Sequence, residues 1–214
     1  ETPSMLSSPT LRELVAMMDA SPKPLIAVIE GVALGGGLEL AMGCHYRVAA
    51  QTARLALPEV KIGRLPGGGG TQRLPRLIGV ENALNMIVSG EHLSAKLFAG
   101  SPLLDACVAT DALTAAVTLA ATKAAELAKG GKLPRARDRK IAEPNLEALL
   151  QFARNTVKGG FPNFPAPLSC IEAIAAAATS SFEDGLVAER ALFIQLMAGP
   201  VSRALRNAFF AERA

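Results

Sequence analysis

Apolar runs alternate with glycine-rich turns and short helical patterns over the first half of the chain. The pattern predicts a helix over residues 10–20, which Pro22 and Pro24 end before the branched apolar run 25–29. That run predicts a buried strand, and the glycines between residues 31 and 37 predict a turn after it. The further predicted elements are, in chain order, a helix over 38–43, strands over 46–50 and 54–57, a loop over 63–70, helices over 71–78 and 81–89, and a last strand over 106–109. Strands and helices in this order predict an α/β fold.

From residue 112 onward the pattern is mainly helical. It predicts an alanine-rich helix to residue 129, a polar link over 134–144, a helix over 145–156, and two more helices beyond Pro167. The chain is therefore expected to divide into an α/β core, residues 1–111, and a helical region, residues 112–214. Because such amphipathic helices ordinarily serve packing or oligomer contacts, no catalytic residue is assigned to this region.

Composition and charge narrow the class of protein. The chain has 214 residues, of which 50% are hydrophobic, and a formal net charge of +3. The basic cluster at residues 132–140 is short and lacks aromatic neighbours, which argues against a nucleic-acid surface but suits an anionic small substrate. No membrane span is expected, because polar and charged residues interrupt the most hydrophobic region, namely Glu30, Glu39, His45 and Arg47. We therefore expect a soluble protein.

Neither a metal site nor a nucleotide site is indicated. The cysteines, Cys44, Cys107 and Cys170, are far apart and form no CxxC pair, so a reducing compartment is favoured over a disulfide framework or a zinc site. His45 and His92 each lack a second ligand at metal spacing and are expected to have structural roles. The glycine clusters match neither the dinucleotide fingerprint nor the P-loop, so this chain is not expected to bind NAD.

Adjacent glycines, Gly35, Gly36 and Gly37, stand directly before the helix predicted over 38–43. The first amides of a helix have no internal partner and lie at the positive end of its dipole. They can therefore hold an oxygen atom that gains negative charge during a reaction, as in an oxyanion hole. Alternatively, the glycines only let the helix pack tightly against a strand.

Two glutamates lie in contexts that favour acid–base chemistry. Glu39 falls in the first turn of that helix, where its charge would also suit the dipole, but its apolar neighbours indicate an enclosed carboxyl with a raised pKa. Glu59 follows Pro58 at the end of a predicted strand and precedes a second glycine-rich approach to a helix. A solvated loop carboxylate is the alternative interpretation of Glu59.

The sequence around these residues resembles the crotonase superfamily of enoyl-CoA hydratases and isomerases in the order, residue identity and spacing of its motifs. The motifs are Gly-Gly-Gly-Leu-Glu-Leu-Ala at 35–41, Leu-Pro-Glu-Val-Lys-Ile-Gly at 57–63 and Pro-Gly-Gly-Gly-Gly-Thr-Gln-Arg-Leu-Pro-Arg at 66–76. The resemblance is close over residues 22–90. Segments 44–48, 167–172 and 202–213 are similar to bifunctional members, in which linker helices join a hydratase half to an NAD-binding 3-hydroxyacyl-CoA dehydrogenase half.

The resemblance implies a crotonase-like superhelix of strand-strand-helix turns and the hydration of trans-2-enoyl-CoA in fatty-acid β-oxidation. Glu39 and Glu59 match the two carboxylates that hold the attacking water and move its protons, and the Gly36 amide matches one oxyanion donor. Both carboxyls are expected to face one cavity. The matching substrate-binding positions are Gly35, Gly37, Pro66, Gly67 and Gly68. Two alternatives stay open: Δ3,Δ2-enoyl-CoA isomerisation at the same site, and a non-catalytic scaffold.

The resemblance also implies partners and surroundings. The acyl-CoA thioester is the substrate, this chain needs no cofactor or metal, and NAD would belong to an absent dehydrogenase half. The second oxyanion donor of the family lies in a loop that would precede Glu1, so an N-terminal part is expected to be missing. The segment 167–214 is expected to pack back over the core near the mouth of the pocket. The protein would be cytoplasmic in a bacterium or peroxisomal in a eukaryote, and its oligomeric state stays open.

Overall fold

The structure, a computed structural model, describes residues 8–212. Its helices and strands are, in chain order, α1 (Leu11–Asp19), β1 (Ile26–Ile29), β2 (Val32–Leu34), α2 (Gly36–Gly43), β3 (Tyr46–Ala50), β4 (Arg54–Ala56), α3 (Gly70–Ile78), α4 (Val80–Ser89), β5 (Leu93–Ser94), β6 (Ala106–Val108), α5 (Ala112–Ala128), α6 (Leu146–Gly160), α7 (Pro165–Thr179), α8 (Phe182–Ala198) and α9 (Pro200–Ala211). Short 3-10 helices form at Pro58–Ile62, Ala95–Phe98 and Ala136–Asp138.

The strands form two small sheets, and the first four strands of the chain alternate between them. The first sheet is parallel throughout in the order β1-β3-β6, with Ile26 opposite Tyr46 and Val48 opposite Ala106. The second has the order β2-β4-β5, with β2 parallel and β5 antiparallel to β4. Two strands followed by helices, as in β1-β2-α2 and β3-β4-α3, repeat along the chain. The predicted α/β fold with strand-strand-helix turns is confirmed.

One hydrophobic core joins the sheets to helices from both halves of the chain. Leu38 and Met42 of α2, Leu55 of β4, and Ile171 and Ile174 of α7 are all fully buried in it. Helix α7 packs against α3 and α4, and α8 packs against α7. The predicted division at residue 111 stays a prediction, but the helices that follow residue 145 complete the same core.

Several local predictions were wrong. The turn predicted over 31–37 contains strand β2, because Val32 and Ala33 pair with β4 between the flanking glycines. Strand β5 was not predicted, since it has two residues. Three helices, not two, follow α6: α7 begins at Pro165, and Pro200 at the first position of α9 separates it from α8. The last residue of the tail segment that carried the resemblance, Arg213, lies outside the described residues.

Candidate active site

The turn between β2 and α2 presents two free amides. Gly35 adopts a left-handed φ of 55°, and its N–H donates to the Ala56 carbonyl at 2.9 Å, which ties the turn to β4. The Leu38 and Glu39 amides both donate to the Gly35 carbonyl. Within residues 8–212, the Gly36 and Gly37 amides donate to no acceptor. The Gly36 amide is the donor that was predicted for an oxyanion, and that role stays a prediction.

Glu39 is a buried carboxyl held by the opposite glycine-rich segment. Its side chain is on α2, and the residue is 2% exposed. Oε1 accepts hydrogen bonds from the Gly68 amide at 2.7 Å and from the Gly70 amide at 2.8 Å. Because α3 begins at Gly70, both amides lie at the positive end of that helix, which favours a negative charge on Glu39.

Glu59 approaches from the 3-10 helix Pro58–Ile62, which directly follows β4. A Cβ atom at Gly35 would lie only 2.6 Å from Glu59 Oε1, so the missing side chain of Gly35 leaves the space that this carboxyl fills. Glu59 Oε2 is buried and has no hydrogen-bond partner among residues 8–212. Glu59 is therefore an enclosed carboxyl beside the turn of α2, and the alternative of a solvated loop carboxylate is wrong.

The two carboxyls influence each other electrostatically. Burial, and then the negative charge of Glu39, raise the pKa of Glu59 to about 8. Burial also raises the pKa of Glu39, while the Gly70 and Gly68 hydrogen bonds and the charge of Arg73 oppose that rise. Glu39 thus has partners that oppose the effect of burial, whereas Glu59 Oε2 has no hydrogen-bond partner among residues 8–212. The pKa of each carboxyl is raised, but the hydrogen bonds around the two groups differ.

The other glycines predicted for the site have different neighbours. A Cβ at Gly68 would lie 2.8 Å from Glu39 Oε2, and one at Gly67 would lie 2.7 Å from the Phe193 ring of α8. Gly37 has open space around its Cβ position, and Pro66 is buried. Gly35 and Gly68 therefore pack directly on the two carboxyls.

A further carboxyl beside this site, which the sequence analysis missed, belongs to the buried Glu189 on α8. Oε1 accepts from the Gly69 amide at 2.9 Å, and Oε2 accepts from the Thr71 amide at 3.2 Å and from the Thr71 hydroxyl at 2.6 Å. Burial, and then the charge of Glu39, raise the pKa of Glu189 to about 8. The helical region therefore places a carboxyl against the glycine-rich segment that holds Glu39, and the expectation that it contains no catalytic residue stays a prediction. A glutamate between Ala188 and Arg190 on an ordinary helix gave no signal of this.

Two clefts lie away from these carboxyls. One of about 240 Å³ is bordered by His45, Arg47 and Arg139, and one of about 660 Å³ lies beside α3 and α4. Neither contains Glu39 or Glu59, so a single cavity shared by both carboxyls stays a prediction.

The structure also tests the chain for a metal site and for a helix that could cross a membrane. Within residues 8–212, no three His, Cys, Asp or Glu side chains come together as a metal site would require. His45 Nδ1 accepts from the Leu25 amide at 3.1 Å, which is a structural role. None of the helices that the structure describes has the length and hydrophobicity needed to cross a membrane.

The parallel strand-strand-helix repeats and the paired carboxyls beside glycine turns define one class of protein. The chain belongs to the enoyl-CoA hydratase/isomerase family, whose model matches residues 2–153. Among individual relatives, the chain is 39% identical over 204 residues to the peroxisomal bifunctional enzyme of Cavia porcellus, covering 95% of this chain and 28% of that protein. It is 38% identical to a peroxisomal fatty acid beta-oxidation multifunctional protein of Oryza sativa subsp. japonica, covering 94% of this chain and again 28% of the relative.

A solved structure shows the same fold. The crystal structure of an enoyl-CoA hydratase from Mycobacterium avium subsp. paratuberculosis K-10 superposes with a TM-score of 0.62 at 22% identity, covering 94% of this chain and 68% of that one. The chain spans little more than a quarter of the length of the curated relatives.

Proposed function

We propose that this site adds water to a trans-2-enoyl-CoA to give a 3-hydroxyacyl-CoA. The observation that carries the proposal is the pair of carboxyls beside the Gly36 amide: Glu39 is buried, and Glu59 is half-buried with a buried Oε2 and a pKa raised in part by the charge of Glu39. The family and the names of the relatives support enoyl-CoA hydration in fatty-acid β-oxidation.

The Gly36 amide polarises the substrate. When the thioester oxygen accepts from this N–H, electron density moves from the C2–C3 double bond toward the carbonyl, and C3 becomes electrophilic. A preorganised donor of this kind contributes on the order of 10²- to 10³-fold in rate. Gly35, Gly37, Pro66, Gly67 and Gly68 are proposed to line the bound substrate, with Gly35 and Gly68 leaving room for the carboxyls that flank it.

Each of the two carboxyls carries out one of the two proton transfers. Ionised Glu39, held on Oε1 by two amides, takes a proton from water through its other oxygen as the water oxygen bonds to C3. Protonated Glu59, whose pKa is about 8, gives its proton to C2. The product gains one O–H and one C–H, and one proton must then pass from Glu39 back to Glu59 to reset the site. Acid–base groups of this kind typically contribute about 10²- to 10⁴-fold each.

Isomerisation of a 3-enoyl-CoA to a 2-enoyl-CoA is the second candidate. It moves a proton between two carbons and needs only one carboxyl. Glu59 Oε2, which has no partner in the described part of the chain, suits that step, because a carboxyl with a pKa of about 8 both takes and gives a proton near neutral pH.

Product analysis of the full-length protein tests the proposal. A 3-hydroxyacyl-CoA formed from a 2-enoyl-CoA supports hydration, and a 2-enoyl-CoA formed from a 3-enoyl-CoA shows isomerisation. Glu59→Gln is expected to lose both reactions while remaining folded by circular dichroism. A wild-type protein that binds acyl-CoA but converts neither substrate would contradict the proposal and favour a scaffold.

The wider setting of the site is proposed from the relatives. Hydration requires no cofactor, and NAD would act in a dehydrogenase half that this chain does not include. A peroxisomal location in a eukaryote or a cytoplasmic one in a bacterium is compatible with the site, and purification from fractionated cells would decide between them.

A further inference from the structure

Two carboxyls from distant parts of the chain hold one short segment between them. The consecutive amides of Gly68, Gly69, Gly70 and Thr71 donate alternately to Glu39 and to Glu189. Glu39 comes from α2, whereas Glu189 comes from α8 and is 120 residues from Gly69 along the chain. These amides include the N-terminus of α3, where no intrahelical acceptor is available.

The alternation couples the positions of the two carboxyls. Gly69 has a left-handed φ of 96°, so the segment turns sharply and points neighbouring amides in opposite directions. If Glu189 released Gly69 and Thr71, the peptide units that carry the Gly68 and Gly70 amides could rotate away from Glu39. Phe193, one turn further along α8, lies against Gly67 and limits movement at the other end of the segment.

The burial of Glu189 requires partners inside the protein. The residue is 0% exposed, so its carboxyl group has lost its contact with water, and a buried polar group without hydrogen bonds is unfavourable. It accepts three hydrogen bonds, two of them from backbone amides, and Arg73 supplies a nearby positive charge. An apolar side chain at this place in α8 would fill the core without holding the amides.

We infer that Glu189 is a positioning residue of the hydratase site: it fixes segment 68–71 so that the Gly68 and Gly70 amides hold Glu39. The inference rests on the proposed role of Glu39, and it makes α8 part of the active site. Glu189 itself touches Gly69 and Thr71 and is not a catalytic residue.

Glu189→Gln in the full-length protein tests this role. The amide side chain can accept from one of the two backbone amides but not from both. We expect kcat for hydration of a 2-enoyl-CoA to fall about 10- to 100-fold, because a small displacement of a catalytic group is costly, while KM changes less than about threefold. We also expect hydrogen exchange at the Gly68 and Gly70 amides, measured by NMR, to rise at least about tenfold while exchange in β3 is unchanged.

Two further variants keep the test decisive. Glu183→Gln lies on the same helix, in an exposed ion pair with Arg137, and is expected to retain wild-type kcat. Thr71→Val removes the hydroxyl that donates to Glu189 and accepts from Gln72 Nε2, which keeps the Ala173 carbonyl as its other acceptor. This variant is expected to show the same changes to a smaller extent, even if Glu189→Gln folds poorly.

The outcomes separate the two claims. A folded Glu189→Gln with unchanged exchange at Gly68 and Gly70 overturns the positioning role, as does a lower melting temperature with unchanged kcat. A wild-type protein without hydratase activity overturns the proposed function instead, and the exchange measurement still decides whether Glu189 holds the segment.

Discussion

At the scale of single residues, Glu39 and Glu59 share one environment but differ in their hydrogen bonds. Two amides hold one oxygen of Glu39, whereas Glu59 keeps a buried oxygen without a partner among the described residues. Burial therefore acts on Glu59 with little compensation, and its pKa rises to about 8. The raised pKa of Glu59, which suits a proton donor, should also make the stability of the fold depend on pH.

Glu59→Gln should make the free energy of unfolding less dependent on pH. With a folded pKa of about 8 against an ordinary 4.5, the native Glu59 binds more protons than the unfolded chain between these values. Its contribution to stability is complete below about pH 4.5 and is lost as the pH rises through 8. The free energy of unfolding, measured with denaturant, should be lower at pH 9 than at pH 5 in both proteins. The decrease should be about 1–3 kcal/mol larger in the wild type than in the variant, after allowing for the partial exposure of Glu59. Equal losses in both proteins would contradict the raised pKa.

Gly35→Ala should displace Glu59. The φ of 55° strains an alanine, and its Cβ would meet Glu59 Oε1. We expect hydration to fall at least about tenfold and stability to fall by about 1–2 kcal/mol. Gly31→Ala is the matched control, because Gly31 has open space and no left-handed φ. Similar kinetics for both variants would show that Gly35 does not shape the position of Glu59.

At the scale of elements, the sequence predicted those parts whose signals are local. The branched run of β1 and the glycines before α2 and α3 each carry their own pattern, and they brought Glu39 and Glu59 into the prediction. Strands β2 and β5 have only three and two residues, too few for a visible alternation. Glu189 could not be found, because its partners are 118 and 120 residues away and depend on how α8 packs.

The contact between α9 and the 3-10 helix after β4 gives an element-scale prediction. Gly63 has a φ of 69°, and a Cβ there would lie 2.8 Å from the Ser202 Cα atom of α9. Gly63→Ala should loosen α9 and destabilise the protein by about 2–4 kcal/mol, with faster proteolysis in α9. Gly100→Ala is the control. Gly100 has a comparable φ of 81°, but its Cβ position has open space, so this variant reports only the cost of the backbone strain. If both alanine variants lose the same stability, the packing of α9 on Gly63 contributes nothing.

At the scale of the whole molecule, the C-terminal helices pack against the glycine-rich segment and the 3-10 helix of the α/β core that carry the candidate site. Helix α8 supplies Glu189 to Gly69 and Thr71 and places Phe193 against Gly67, and α9 packs beside the residue that ends the Glu59 helix. Packing of the tail over the core near the mouth of the pocket was expected from the resemblance to linker helices. The described part of the tail packs on the core, and its place at the mouth of a pocket stays a prediction. Its role as a link to a dehydrogenase half stays a prediction.

The central claim, that Glu39 and Glu59 add water to an enoyl-CoA, is tested most directly by the hydration rate of Glu39→Gln in the full-length protein. The change keeps the shape of the side chain but removes the base that takes a proton from water, so kcat should fall at least about 10²-fold. Isomerisation of a 3-enoyl-CoA should fall less, because Glu59 is intact. Glu81→Gln, on the exposed face of α4, should match the wild type. Hydration by a folded Glu39→Gln at close to the wild-type rate would contradict the two-carboxylate mechanism.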